Sequence, residues 1–210
     1  MEGPSAYPVK LSVDYPDREM DRITTLFRIF AIIPIAIILG LVSGASQRWE
    51  GQEGTSYQYA AGGLIVAATL LMIVFRQKYP RWWFDWNVAL INFSTRVGAY
   101  MALLRDEYPS TDEEQAVHIT IPYPNVKEEL NRWLPLVKWF LAIPHYIVLA
   151  FLAVGAVGAV IIAWFAILIN GRYPKSLFDY VVGVMRWGLR VSAYAAILVT
   201  DIYPPFSLEA

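Results

Sequence analysis

The sequence predicts an all-α membrane protein of two tandem repeats, each a transmembrane helical hairpin followed by an amphipathic interfacial helix. Short strands ahead of each hairpin are expected to pair into a small cytoplasmic β-ribbon. Two observations carry that prediction. Of the 210 residues, 57% are hydrophobic and only 17% charged, with a mean hydropathy of +0.41, more apolar than a typical soluble domain. The chain also says nearly the same thing twice. Tyr79, Pro80, Arg81, Phe84, Asp85, Arg96 and Tyr100 fall on Tyr173, Pro174, Lys175, Phe178, Asp179, Arg190 and Tyr194 at a shift of 94. Upstream, Arg22, Arg28 and Pro34 fall on Arg132, Lys138 and Pro144 at a shift of 110. The two shifts differ by 16 residues, the length of a polar stretch, 44–59, found in the first half. Duplication of one unit, with a loop inserted or lost, accounts for both.

Repeat 1 occupies residues 1–105. Its strand, 7–16, alternates Val9, Leu11 and Val13 with Lys10, Ser12 and Asp14 between prolines. The first 22 residues are polar and offer no apolar core for a cleavable signal peptide, so the first span is expected to act as an uncleaved anchor. That span, 23–42, is about 20 residues long, enough to cross a hydrocarbon core of about 30 Å. Its one charge, Arg28, is expected to snorkel to the headgroups, and Pro34 to kink the helix without ending it. A polar loop, 44–59, leads to a shorter span, 60–75, completing a hairpin. An acidic linker, 106–115, separates the halves.

Repeat 2 occupies residues 116–210 and opens with a strand at 117–124, alternating Val117, Ile119 and Ile121 with His118 and Thr120. The apolar run from Trp133 to Ile169 would be roughly 55 Å long as one helix, too long for an ordinary bilayer. A tight turn is therefore expected near Gly155 and Gly158, dividing the run into spans 134–154 and 157–169, with a kink at Pro144. The same glycines read alternatively as a helix-packing notch.

The segments 82–104 and 177–200 differ in kind. Asp85, Asn92, Arg96 and Tyr100 share one helical face, and Asp179, Arg186, Arg190 and Tyr194 repeat the spacing. Two readings compete. The helix lies flat in the interface with its stripe to water, or it spans with the stripe turned into a polar bundle interior. The flat reading leaves every Lys and Arg except Arg48 on one side, a positive-inside bias that puts both termini in the cytoplasm of a multi-pass cell-membrane protein. The two faces are candidates for interhelical ion pairs, Asp85 with Arg190 and Asp179 with Arg96. Arg76, Lys78, Arg81, Trp82, Trp83, Arg172 and Lys175 flank membrane exits as anchors with affinity for anionic lipid headgroups.

Other chemistry is sparse. A net charge of −1 offers no electrostatic case for nucleic acid, and the lack of cysteine removes thiolate metal sites and a cysteine nucleophile. His145, one of two histidines, is expected to cap the Pro144 kink or meet a headgroup, because a metal site needs several converging ligands. No phosphate loop, nucleophile elbow, zinc-protease or haem motif occurs. No catalytic residue, metal or cofactor is expected.

Four strings in the second half are specific. They are Asn170-Gly171-Arg172-Tyr173-Pro174-Lys175, Leu177-Phe178-Asp179-Tyr180, Arg190-Val191-Ser192-Ala193-Tyr194 and Asp201-Ile202-Tyr203-Pro204-Pro205-Phe206. Together with Leu141-Ala142-Ile143-Pro144-His145 and Tyr7-Pro8-Val9, they resemble a bacterial integral-membrane family known only as a domain of unknown function (number four-three-eight-nine). The resemblance covers nearly the whole chain, and the first half is the more degenerate copy: Asn92 stands where the second half has Arg186. It implies a membrane location and no activity. The expected function is a non-catalytic accessory or scaffold subunit of a larger membrane complex with protein partners. The alternative is a small transporter or lipid-handling protein with a polar site at the repeat interface, lined by Asp85, Arg96, Asp179 and Arg190.

Overall fold

The computed structural model describes residues 7–43, 47–50, 56–59, 61–111 and 113–209, with 47–50, 56–59 and 61–64 described by their backbone alone. In chain order the elements are β1 (Lys10–Val13), α1 (Arg22–Ser43), β2 (Gln47–Glu50), β3 (Ser56–Tyr59), α2 (Ala61–Arg76), α3 (Arg81–Met101) and β4 (Val117–Thr120). There follow a single turn α4 (Val126–Glu129), a 3-10 turn at Leu134–Leu136, α5 (Lys138–Leu141), α6 (Ile143–Asn170) and α7 (Lys175–Ala195). The described residues are thus mostly helical, with two short two-stranded sheets.

Alternation of apolar and polar residues makes β1 and β4 strands, and they pair antiparallel. Leu11 faces Ile119 at the centre, flanked by Lys10–Thr120 and Ser12–His118. A shift of 108 converts each flanking pair into the other, so the register is symmetric about Leu11–Ile119. Val9, Leu11, Val13 and Val117 turn inward and join the main core.

Each long apolar helix pairs antiparallel with one amphipathic helix. On α1, Arg28 meets Tyr100 and Ile35 packs with Phe93 of α3. Lys138, just ahead of α6, meets Tyr194 of α7, and His145 of α6 meets Trp187. The second set lies at shifts of 110 and 94 from the first, so both helix pairs share one register. The ribbon then crosses over: β1 packs on α7 and β4 on α3. Outward faces of α1 and α6 remain apolar and exposed, including Phe30, Leu41, Phe151, Val154 and Ile169. These two helices are long and apolar enough to cross a membrane.

Several expectations are corrected here. No turn divides 143–170: α6 is one helix of 28 residues, about 42 Å long. The run, rich in Ala, Val and Ile, keeps its backbone bonded through both glycines, and neither Gly155 nor Gly158 has a positive φ. The packing-notch reading fits Gly155, where an added Cβ would lie 2.5 Å from Tyr180 Oη, and that hydroxyl donates to Leu152 O at 3.0 Å. Pro144 is not an internal kink; it occupies the first turn of α6, where its missing N–H costs nothing. Residues 134–141 form the 3-10 turn and α5, not the start of a span. Pro34 does lie inside α1. The polar loop carries the β2–β3 pair, and the rest of it lies outside the described residues.

Gly171 ends α6 with φ +72°, and an added Cβ would lie 3.2 Å from Glu19 Oε2. Its counterpart after α2 is Gln77, held at φ 46°. Gly171→Ala is expected to destabilise the protein by about 1–2 kcal/mol, whereas Gln77→Gly should raise the unfolding temperature. Thermal unfolding in one detergent measures both.

Candidate functional site

The most buried charges form two matched ionic centres. Arg28, 3% exposed, enters from α1; its Nη1 donates to Tyr100 O at 3.1 Å and Arg105 O at 2.9 Å, and its Nη2 pairs with Asp106. The guanidinium lies 4.5 Å from the Tyr100 ring centroid. Lys138, 0% exposed, repeats the plan: Nζ donates to Thr200 O at 2.7 Å, pairs with Asp201 at 2.7 Å and sits 5.0 Å from the Tyr194 ring centroid. The acids are fixed from behind, Asp106 Oδ2 by the Asp21 N–H and Asp201 Oδ2 by the Asn131 N–H. Left-handed turns at Leu103 and Leu198 bring the chain back from α3 and α7 to deliver them. Burial pushes the Lys138 ammonium pKa down, against the pull of Asp201.

Two aromatic boxes tie the halves together. Tyr15, beyond β1, donates its hydroxyl to Tyr173 O and packs edge-on to Phe178, with Lys175 Nζ 5.1 Å from its centroid. Tyr123, beyond β4, donates to Tyr79 O and packs edge-on to Phe84, with the Arg81 guanidinium 4.9 Å away. Each strand therefore completes the box of the opposite half.

The interhelical pairs expected from sequence do not form. Asp85 binds Arg81 at 3.1 Å and Asp179 binds Lys175 at 2.7 Å, each an exposed i,i+4 pair on its own helix. Proximity within one turn outcompetes any partner across the interface. Arg96 donates to Ser110 O, Arg186 to Leu11 O and Leu208 O, and Arg190 to Ser207 O and Glu209 O. Asn92 is half-buried on α3. Burial lowers the pKa of Arg186 and Arg190, with the Asp179 charge opposing the shift at Arg186; among the described residues both guanidiniums donate to carbonyls, and Arg190 lies over the Tyr7 ring. Where α3 and α7 face each other, the groove is lined by Ile91, Thr95, Gly98, Met185 and Ser192, with none of the four charges a transport path would require. Arg28 does not snorkel, for Asp106 and two carbonyls hold it inside. His145 neither caps a kink nor meets a headgroup. It is buried, accepts the Trp187 Nε1–H at 3.0 Å on Nδ1 and stacks on Phe206 at 4.0 Å. Of the anchors, Arg76, Lys78, Trp82 and Arg172 are exposed, while the half-buried Trp83 donates to Thr69. Among the described residues no cluster of His, Asp and Glu could hold a metal.

Sequence reasoning missed Asp106 and Asp201. The signal was present: Arg28, Tyr100 and Asp106 recur as Lys138, Tyr194 and Asp201 within one residue of the repeat shifts.

With this geometry in view, residues 133–207 match the family model described as Domain of unknown function (DUF4389). The match includes Lys138 and its partners Tyr194, Thr200 and Asp201. No curated protein and no solved structure matches the chain.

Asp201→Asn leaves Lys138 buried without its counter-charge and should destabilise the protein by about 3–5 kcal/mol, while Asp85→Asn, exposed, should cost about 0.5 kcal/mol or less. Chemical denaturation in mixed micelles separates the two. Burial also raises the Tyr79 hydroxyl from 10.0 to about 12. The unfolded chain then loses that proton first, so stability is unchanged below pH 10 and falls as pH rises through 12. Tyr79→Phe should remove part of that alkaline loss in unfolding curves recorded against pH.

Proposed function

We propose that the protein is a non-catalytic accessory or scaffold subunit of a larger membrane complex, built from two duplicated units. One observation carries this reading: α1 and α6 present long apolar faces to the outside, while the most buried cations are bound to acids and carbonyls of the chain itself. Phe151 is 76% exposed and Ile29 74%, surface that needs lipid or another protein's helices to cover it. The matched centres, boxes and ribbon register support descent of both halves from one unit. We place the chain in the cell membrane with both termini cytoplasmic, on the bias that leaves Arg48 alone among the basic residues in the β2–β3 segment. A transporter needs a shared polar cavity at Asp85, Arg96, Asp179 and Arg190, and these residues are dispersed among separate partners.

Purification from native membranes in a mild detergent should bring down a reproducible, stoichiometric set of membrane proteins, identified by mass spectrometry. A chain that elutes alone with lipid overturns the subunit reading. Because the chain has no cysteine, Ser56→Cys and Ser207→Cys test the topology directly. An impermeant maleimide added to intact cells should label the first and spare the second.

A further inference from the structure

We propose that the cleft between the α2–α3 turn and the segment after β4 is a phosphate site, and that it holds the headgroup of an anionic phospholipid. The cleft is open to the outside, has a volume of about 570 Å³ and is lined by Lys78 and Arg81 on one side and by Tyr123, Asn125 and Lys127 on the other. Lys78 and Lys127 make no side-chain hydrogen bond or ion pair with any described residue. Arg81 commits its Nε to Asp85, which leaves its two terminal amino groups without a described protein acceptor. No carboxylate lines the cleft. The nearest acids in sequence, Glu128 and Glu129, are turned onto Asn125, accepting from its Nδ2 and its backbone N–H. Three cations around one opening, with no acid in its lining, suit a phosphate oxyanion.

The corresponding cleft in the other half shows the contrast. Shifts of 108 and 94 carry Asn125, Lys127 and Lys78 onto Asp17, Glu19 and Arg172. That cleft, about 280 Å³, is lined by Asp17 together with Arg18 and Arg172. Glu19 lies against Gly171, next to Arg172. On corresponding backbone, one cleft has a carboxylate in its lining and the other does not; Asp85, Glu128 and Glu129 reach the second only from outside its lining, through Arg81 Nε and Asn125. The cleft with no carboxylate in its lining also has the right neighbours. Lys78 follows the end of α2 by two residues, and Trp82 is exposed beside the Trp83–Trp86 stack, at 5.4 Å, the aromatic setting of headgroup depth.

This inference rests on the membrane reading, and the test keeps the two apart. The full chain in neutral maltoside micelles is titrated with dihexanoyl phosphatidylglycerol, dihexanoyl phosphatidylcholine and inorganic phosphate, following tryptophan fluorescence. Phosphatidylglycerol should bind about tenfold more tightly than the choline lipid. Lys78→Gln with Lys127→Gln should weaken it roughly 30-fold. Lys127→Glu, which copies Glu19 at the corresponding position, should also weaken it, and Arg172→Gln should leave it unchanged. Equal affinity for inorganic phosphate supports the phosphate cleft and assigns it to a soluble anion rather than a headgroup. Undiminished binding in both Lys127 variants, or equal binding of the two lipids, overturns the proposal. Carbonate extraction of the same proteins reports on membrane embedding alone: release into the supernatant overturns that reading, whatever the titrations show.

Discussion

A cation in apolar surroundings must be bonded where it sits, and that requirement sets the register of both helix pairs. Arg28 and Lys138 lie near the start of the two long apolar segments, where an uncompensated charge would cost several kcal/mol. Each is met by a tyrosine ring from the antiparallel amphipathic helix, a carbonyl from the turn beyond it, and an aspartate that the turn delivers. Sliding either helix by one turn would break all three contacts at once. The apolar contacts around them, Ile35 with Phe93 and His145 with Trp187, then fall into line.

What joins the halves is the exchange of strands. The β1–β4 ribbon is short, and two strands alone are marginal in water. It gains support because each strand packs on the opposite half's amphipathic helix and ends in a tyrosine locked into that half's aromatic box. Arg186 adds a bond to Leu11 O, at the centre of the ribbon, and Arg190 holds the C-terminal segment at Ser207 and Glu209. Polar residues that looked like a water-facing stripe thus bind backbone carbonyls of neighbouring segments. This use of arginine satisfies half-buried carbonyls and cations together.

The places where sequence reasoning fell short share a cause. Following the helical stripe downstream pairs Asp85 with Arg190 and Asp179 with Arg96, while their actual partners Arg81 and Lys175 lie one turn upstream. A turn was expected at Gly155 because a long helix exceeds bilayer thickness, but that limit acts on insertion, not on the helical hydrogen bonds of an Ala- and Val-rich run. Asp106 falls in the acidic linker, and nothing local marks it as the partner of a residue 78 positions away.

The sequence by itself determined β1, β4 and the helices α1, α2, α3 and α7, the shared motifs of the two halves and the apolar character of α1 and α6. All of these depend on periodicity and composition within a few turns of chain. Only the tertiary structure decided which acid meets which cation, that α6 runs unbroken, and that one basic cleft has Asp17 in its lining while the other has no carboxylate there. Those outcomes depend on distances between residues far apart in the chain. Such distances follow from how the helices and the exchanged strands pack, and no local pattern encodes them.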